Sequence, residues 1–150
     1  MPVGEICVRE VVVCERNTTI REAARLMRQY HVGNLVIVEG PPESRKPVGI
    51  VTDRDLVVSV IALDVDARVF TVGDLVIQEL VSVTEDRGVF ETIQQMRVHG
   101  VRRMPVVDRA GGLAGIVSVD DLIQLLAEEM TALGKLISAQ QAHEVEVKRV

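Results

Sequence analysis

Gly49-Ile50-Val51-Thr52-Asp53-Arg54-Asp55-Leu56 returns, at an offset of 66, as Gly115-Ile116-Val117-Ser118-Val119-Asp120-Asp121-Leu122. Glycine, aliphatic pair, hydroxyl residue, aspartate and leucine keep their places while the two positions between hydroxyl and aspartate change. Working outward, residues 3–39 lie over residues 72–108 at a constant offset of 69. Identities there include Val3/Val72, Gly4/Gly73, Glu10/Glu79, Val12/Val81, Glu22/Glu91, Met27/Met96, Arg28/Arg97, Val32/Val101 and Val38/Val107. The change of offset gives the first copy three extra residues, and they fall in the Pro/Gly-rich turn Glu39 to Pro47, opposite the shorter Asp108 to Leu113. A preserved core with a variable surface turn leaves that signature. A period near 70 is too long for a solenoid unit and fits a duplicated small domain.

Each half reads as strand, helix, strand, strand, helix. Val11 to Cys14 is a short β-branched run, and Ile20, Ala23, Ala24, Met27 and Tyr30 then recur at the spacing of one helical face. Thr19 with Glu22 makes a capping box at the start of that helix. Leu35 to Val38 and Val48 to Val51 flank the Pro/Gly turn as a hairpin does. A second helix begins near Arg54 and runs through Leu56, Val57 and Val60. The second half predicts a strand over Leu80 to Val83, a helix over Val89 to His99, strands over Met104 to Val107 and Leu113 to Val117, and a helix from Val119 to about Met130. The expected fold is α/β (α+β), built from two tandem units at residues 1–70 and 71–130. Residues 131–150 form a helical extension, carrying Leu133, Leu136 and Ile137, that ends in a frayed charged tail.

Composition narrows the function classes. With 150 residues and 47% hydrophobic content the chain can bury a sizeable core. Only Tyr30, Phe70 and Phe90 are aromatic, so aliphatic side chains supply nearly all the packing. The net charge of −5 and the lack of a basic run argue against a nucleic-acid footprint. No apolar stretch reaches the roughly 18 residues of a membrane span, and the first residues lack a signal peptide's pattern, so a cytoplasmic protein without membrane contact is expected. Cys7 and Cys14 read as reduced thiols in apolar surroundings. His31, His99 and His143 have no partner at a catalytic spacing, and no metal cluster is visible, so no enzyme and no catalytic cofactor are expected.

The chemistry concentrates at the two strand-to-helix junctions. A helix N-terminus offers unpaired amides and a partial positive charge, so a phosphate beside Thr52 or Ser118 meets amides, dipole and hydroxyl together. Asp55 or Asp121, three residues on, could accept hydrogen bonds from both hydroxyls of a ribose. A hydroxyl residue followed three positions later by an acid is equally the pattern of a plain capping box. Both readings stand on the residues alone, although the retention of the pattern in two divergent copies favours a nucleotide seat.

The tandem order of elements, Val72-Gly73-Asp74-Leu75, Val101-Arg102-Arg103-Met104-Pro105-Val106-Val107-Asp108 and the two junctions together resemble the cystathionine-β-synthase-type (CBS) domain pair, over residues 3 to about 130. The resemblance implies two units packed about a pseudo-twofold axis, with two clefts that take AMP, ADP, ATP or S-adenosylmethionine. It implies that Asp55 and Asp121 hold ribose hydroxyls and that Thr52 and Ser118 face phosphate. Ile116, Ile20, Val32 and Gly33 would line the cleft of Asp121, and Ile50, Val89, Val101 and Arg102 that of Asp55. Arginine's fork suits phosphate, which singles out Arg102 and Arg103, with Arg54 third. Where the second copy has that basic pair, the first has Gly33-Asn34, so the two sites differ in charge. The expected protein is a regulatory adenine-nucleotide sensor and a homodimer, because an aliphatic helical surface from Leu122 to Ile137 needs cover, and an unknown protein partner is the other candidate for that surface. The alternative is a homodimeric scaffold whose junctions only cap helices.

Overall fold

The computed structural model describes residues 1–76 and 78–148. The first unit runs β1 (Val13–Cys14), α1 (Ile20–Tyr30), β2 (Asn34–Glu39), β3 (Lys46–Thr52) and α2 (Asp53–Leu56), the last continued by a π-helical turn over Val57–Ile61. A short α3 (Val72–Leu75) leads into the second unit, β4 (Val83–Thr84), α4 (Val89–His99), β5 (Arg103–Val107), β6 (Leu113–Ser118) and α5 (Val119–Lys148). Each unit holds a three-stranded sheet in sequence order, with the first pair parallel and the second antiparallel. The two sheets repeat one another down to an irregularity in the middle of each hairpin, after Ile37 and after Val106. This is the expected α/β duplication about a pseudo-twofold axis.

Amphipathic spacing explains the helices. Ile20, Ala23 and Met27 are buried on α1, and Val89, Thr92 and Met96 take the corresponding places on α4. The Thr19 hydroxyl accepts the Glu22 amide at 3.2 Å and caps α1. The central strands are buried on both faces, Leu35 to Val38 in β2 and Met104 to Val107 in β5, because helices cover one side and the other unit lies on the other.

The units exchange their leading segments. Val3 is fully buried with Val83, Val89, Met104 and Val117 of the second unit, whereas Val72 is fully buried with Ile20, Leu35, Ile37 and Val51 of the first. Matching hydrogen bonds fix both crossings. Val3 and Gly4 donate to Arg87 O (2.7 Å) and Glu85 O (2.9 Å), while Val72 and Gly73 donate to Thr18 O and Arg16 O (both 2.9 Å). The crossing chain then passes over the glycine of the next motif. A Cβ on Gly115 would stand 2.6 Å from Cys7 Sγ and 2.8 Å from Val8 O, and one on Gly49 would stand 2.8 Å from Val76 Cγ1. The repeated glycine of the junction motif is therefore a close-approach position.

Three sequence expectations shift. The first strand of each unit is two residues long rather than four: Val11 and Val12, like Leu80 and Val81, precede the strands and line open clefts. The helical extension past Met130 is present as expected, but the charged tail does not fray: the last helix continues to Lys148, and residues 149–150 lie outside the described residues. The three-residue insertion is not a free turn, since it folds as a 3₁₀ turn over Pro42–Ser44 and Arg45 O accepts the Leu113 amide of the other hairpin at 2.7 Å.

One position carries local strain. α1 ends on His31 in the left-handed region (φ 53°, ψ 43°), where α4 ends on Gly100 (φ 63°, ψ 31°). A side chain there costs energy that glycine avoids. His31→Gly is expected to raise the unfolding free energy in urea titrations by about 0.5 to 1 kcal/mol, and Gly100→Ala to lower it by about 1 kcal/mol although nothing lies within 4 Å of the added Cβ.

Candidate functional site

Thr52 and Ser118 end β3 and β6, and the helices that follow start on them. The Thr52 amide donates to Asp55 Oδ2 at 2.8 Å and the Asp55 amide to Thr52 Oγ1 at 3.2 Å. In the second unit the Ser118 amide and hydroxyl donate to Asp121 Oδ2 at 2.7 and 2.6 Å, and the Asp121 amide returns to Ser118 Oγ at 3.2 Å. Both are capping boxes. Only Oδ2 of each carboxylate is used, and Oδ1 of Asp55 and of Asp121 takes no protein donor among the described residues. Capping and ribose binding are thus compatible in the same side chain. A third box, Thr71 with Asp74 (2.8 and 3.1 Å), starts α3, a four-residue helix outside the repeated junction.

Two cavities stand in matching places. One, of about 300 Å³, lies between Gly49 and Ile50 of β3, the linker Gln78 to Val81, and His99, Val101 and Arg103 of the second unit. The other, of about 660 Å³, is lined by the linker Arg9 to Val13 with Leu26, Tyr30 and Val32 of the first. At the repeat offset Arg9 to Val12 correspond to Gln78 to Val81, Tyr30 to His99 and Val32 to Val101. The linker of the second cavity follows Val8, whose amide and carbonyl both pair with Ile116 at 2.9 Å. Volumes of this order suit small organic ligands.

The structure brings some expected residues together and separates others. Ile50, Val101 and Arg103 meet at the first cavity and Val32 lines the second, but Thr52, Asp55, Ser118, Asp121 and Ile116 line neither, Ile116 pairing through its backbone with Val8 just before the linker. Gly33 lies beside the first junction, its carbonyl accepting the Asp53 amide at 2.9 Å, and Arg102 O likewise accepts the Val119 amide at the second. Ile20 and Val89 are core residues, 2% and 5% exposed. Arg102 lines a groove between α4 and α5 together with Arg97. Arg54 is exposed on the first turn of α2. The sequence pattern reads Val11, Val12, Leu80 and Val81 as strand rather than cleft wall, and His99 and Tyr30 only as a base or as part of a helical face; the shared offset between the two linkers was the available signal.

The electrostatics of the clefts differ. Arg9 is tied down by Glu85 (3.3 Å), Gly4 O (2.7 Å) and Ala114 O (3.2 Å). Arg103 makes no ion pair among the described residues, so the smaller cleft keeps a free guanidinium beside Glu79 and His99. Burial pushes the Cys7 thiol up from its ordinary value, with Arg9 opposing and the Glu85 and Asp121 carboxylates adding to the rise. Burial also pushes the thiol of Cys14 up, to about 11. Both cysteines are free. Among the described residues no group of three or more His, Cys, Asp or Glu side chains could hold a metal, and no helix is long and apolar enough to cross a membrane.

The CBS domain family model matches residues 3–62 and 72–128, and the chain belongs to that family. It is similar to an uncharacterised protein, MK0525, of Methanopyrus kandleri, at 37% identity over 82% of this chain and 61% of that protein, so it spans less than two thirds of that relative. Among solved structures it resembles the CBS domain pair of protein MJ0100 in complex with 5'-methylthioadenosine and S-adenosyl-L-methionine, at 25% identity and a TM-score of 0.71 over 86% of this chain and 98% of that one. It also resembles a hexameric CBS-CP12 protein from bloom-forming cyanobacteria, at 27% identity and a TM-score of 0.70 over 82% and 69%. The fold and its repeat are those of a CBS domain pair.

The three boxes separate capping from any other role. Asp55→Ala, Asp121→Ala and Asp74→Ala are each expected to lower the stability of the ligand-free protein by about 1 kcal/mol, the usual worth of a cap, as read by urea unfolding. A loss several times larger at Asp55 or Asp121 alone would mean that those carboxylates do more structural work than capping.

Proposed function

We propose that this chain is a cytoplasmic regulatory module that senses an adenosine-containing ligand, AMP, ADP, ATP or S-adenosylmethionine, in its two inter-unit clefts, and is not an enzyme. The observation that supports this most is that two cavities with corresponding linings occur in a chain whose two repeated junction carboxylates each keep one oxygen unused; the carboxylates themselves do not line the cavities, and Ile50, on β3 just before the first junction, lines the smaller one. Apolar walls such as Ile50 and Val101 suit the faces of a base. Asp55 and Asp121 accept ribose hydroxyls through Oδ1, while Thr52, Ser118 and the free Arg103 turn toward phosphate or its equivalent, with Arg54 within reach of a longer chain. That the MJ0100 pair was crystallised with two adenosine-containing molecules supports the ligand class.

The smaller cleft draws walls from both units and from the linker, so a bound ligand ties the two sheets together. Any displacement that occupancy causes is passed to α5 through β6, and from there to a second copy or to a protein partner. One observation favours the second reading, a scaffold that binds nothing: the Thr71 and Asp74 box shows that this chain also uses the pattern as a simple cap.

Calorimetry and thermal shift with AMP, ADP, ATP and S-adenosylmethionine separate the readings, since a ligand that binds only the folded state raises its apparent stability. At least one of these is expected to bind with micromolar to millimolar affinity. Asp55→Ala or Asp121→Ala should weaken it by about 1.5 to 3 kcal/mol, measured well below the melting temperature so that the lost cap does not interfere. Arg103→Ala should reduce ATP affinity more than AMP affinity, because a guanidinium selects for added phosphate charge. Identical titrations for wild type and all three variants would leave the junctions as caps.

A further inference from the structure

From Leu126 to Lys148 every residue of α5 is exposed. That is a rod about 35 Å long at the helical rise, and most helical stability in proteins comes from packing an amphipathic face rather than from propensity. Its apolar residues are not scattered. Ile123, Leu126, Met130, Leu133 and Ile137 follow one another at spacings of three, four, three and four, the seam of a coiled coil, and they are 59%, 39%, 69%, 56% and 58% exposed. The chain has built a heptad face and left it uncovered.

We propose that α5 pairs antiparallel with α5 of a second copy, in a closed twofold dimer. An antiparallel seam alternates the two heptad core positions across the axis, which sets Met130 against the partner's Leu133, Leu126 against the partner's Ile137, and Ile123 against the partner's Gln140. The same register carries the end of the partner's helix onto the start of this one and brings the partner's Glu144 and the partner's Glu146 alongside Val119. There the apolar groove between α4 and α5 is bordered by Arg97 and Arg102, neither of which makes an ion pair among the described residues. Two free guanidiniums thus meet two carboxylates that have no cation of their own nearby except Lys148. Parallel pairing does the opposite, because Glu144 falls at a core position of the seam and would face the partner's Glu144. A twofold axis makes each contact occur twice, which suits a self-complementary patch. This pairing is independent of what the clefts bind.

The test uses the full chain in light scattering and sedimentation. The expected mass is twice 16.5 kDa at micromolar concentration. Met130→Glu with Leu133→Glu should give the single-chain mass, with the thermal melt of the body retained since both side chains are exposed. Arg97→Glu with Arg102→Glu should weaken the dimer about tenfold or more, and adding Glu144→Arg with Glu146→Arg should restore it. Val119 and Glu144 lie about 37 Å apart along one helix, so that rescue can only act between copies. A monomeric wild type, a dimer indifferent to the seam substitutions, or charge reversal without rescue would each overturn the proposal.

Discussion

The fold depends on the reciprocal crossing of two short segments. Val3 completes the second unit's core and Val72 the first's, so neither core is closed by its own half of the chain. Each valine buries its whole side chain, a contribution of about 1.5 kcal/mol or more, and each crossing adds two backbone hydrogen bonds at the same repeat positions. The two units are therefore coupled as one body. The crossing also makes the clefts. Once residue 3 or 72 is anchored on the far unit, the chain must return to its own sheet, and the returning linkers Arg9 to Val13 and Gln78 to Val81 form the cleft walls.

Much of this was legible because it repeats. The offset of 69 aligned the two units, and helical spacing set α1 and α4 at the boundaries they have. The hairpins and the change of offset located the insertion. What the sequence did not carry was destination. Val3 and Val72 match, yet identity does not say which core a residue enters, because two similar cores offer equivalent holes. Val11, Val12, Leu80 and Val81 look like strand because they are apolar and β-branched or branched, but a residue that lines a cleft has the same composition as one in a sheet. The extension of α5 past Met130 was legible from Leu133, Leu136 and Ile137, but the helicity of its charged end was not, because its exposed residues there carry no apolar periodicity to signal it.

The candidate site shows where a motif stops being informative. Thr-x-x-Asp is satisfied by capping alone, and Asp74 shows as much within this chain. What sets the two junctions apart from the Asp74 box is their repetition at the ends of β3 and β6; Thr52, Asp55, Ser118 and Asp121 line neither cavity, and the first junction meets the smaller one only through Gly49 and Ile50, just before it on β3. Arg102 and Arg103 make the same point. Adjacent residues at a strand start point to opposite sides, so one lines the groove under α5 and the other the smaller cleft. A basic pair in sequence becomes two single charges in space, one at the smaller cavity and one at the groove between α4 and α5. The two units, alike in fold, thereby differ in what their surfaces attract.

A crystal structure of the chain grown with saturating S-adenosylmethionine or AMP tests the central claim most directly. The account predicts a base held between Ile50 and Val101 or against Val11 and Val32, with ribose hydroxyls on Oδ1 of Asp55 or Asp121 while Oδ2 still receives the Thr52 or Ser118 amide. Clefts that stay empty, or a ligand seated elsewhere with both carboxylates engaged only as caps, would contradict it.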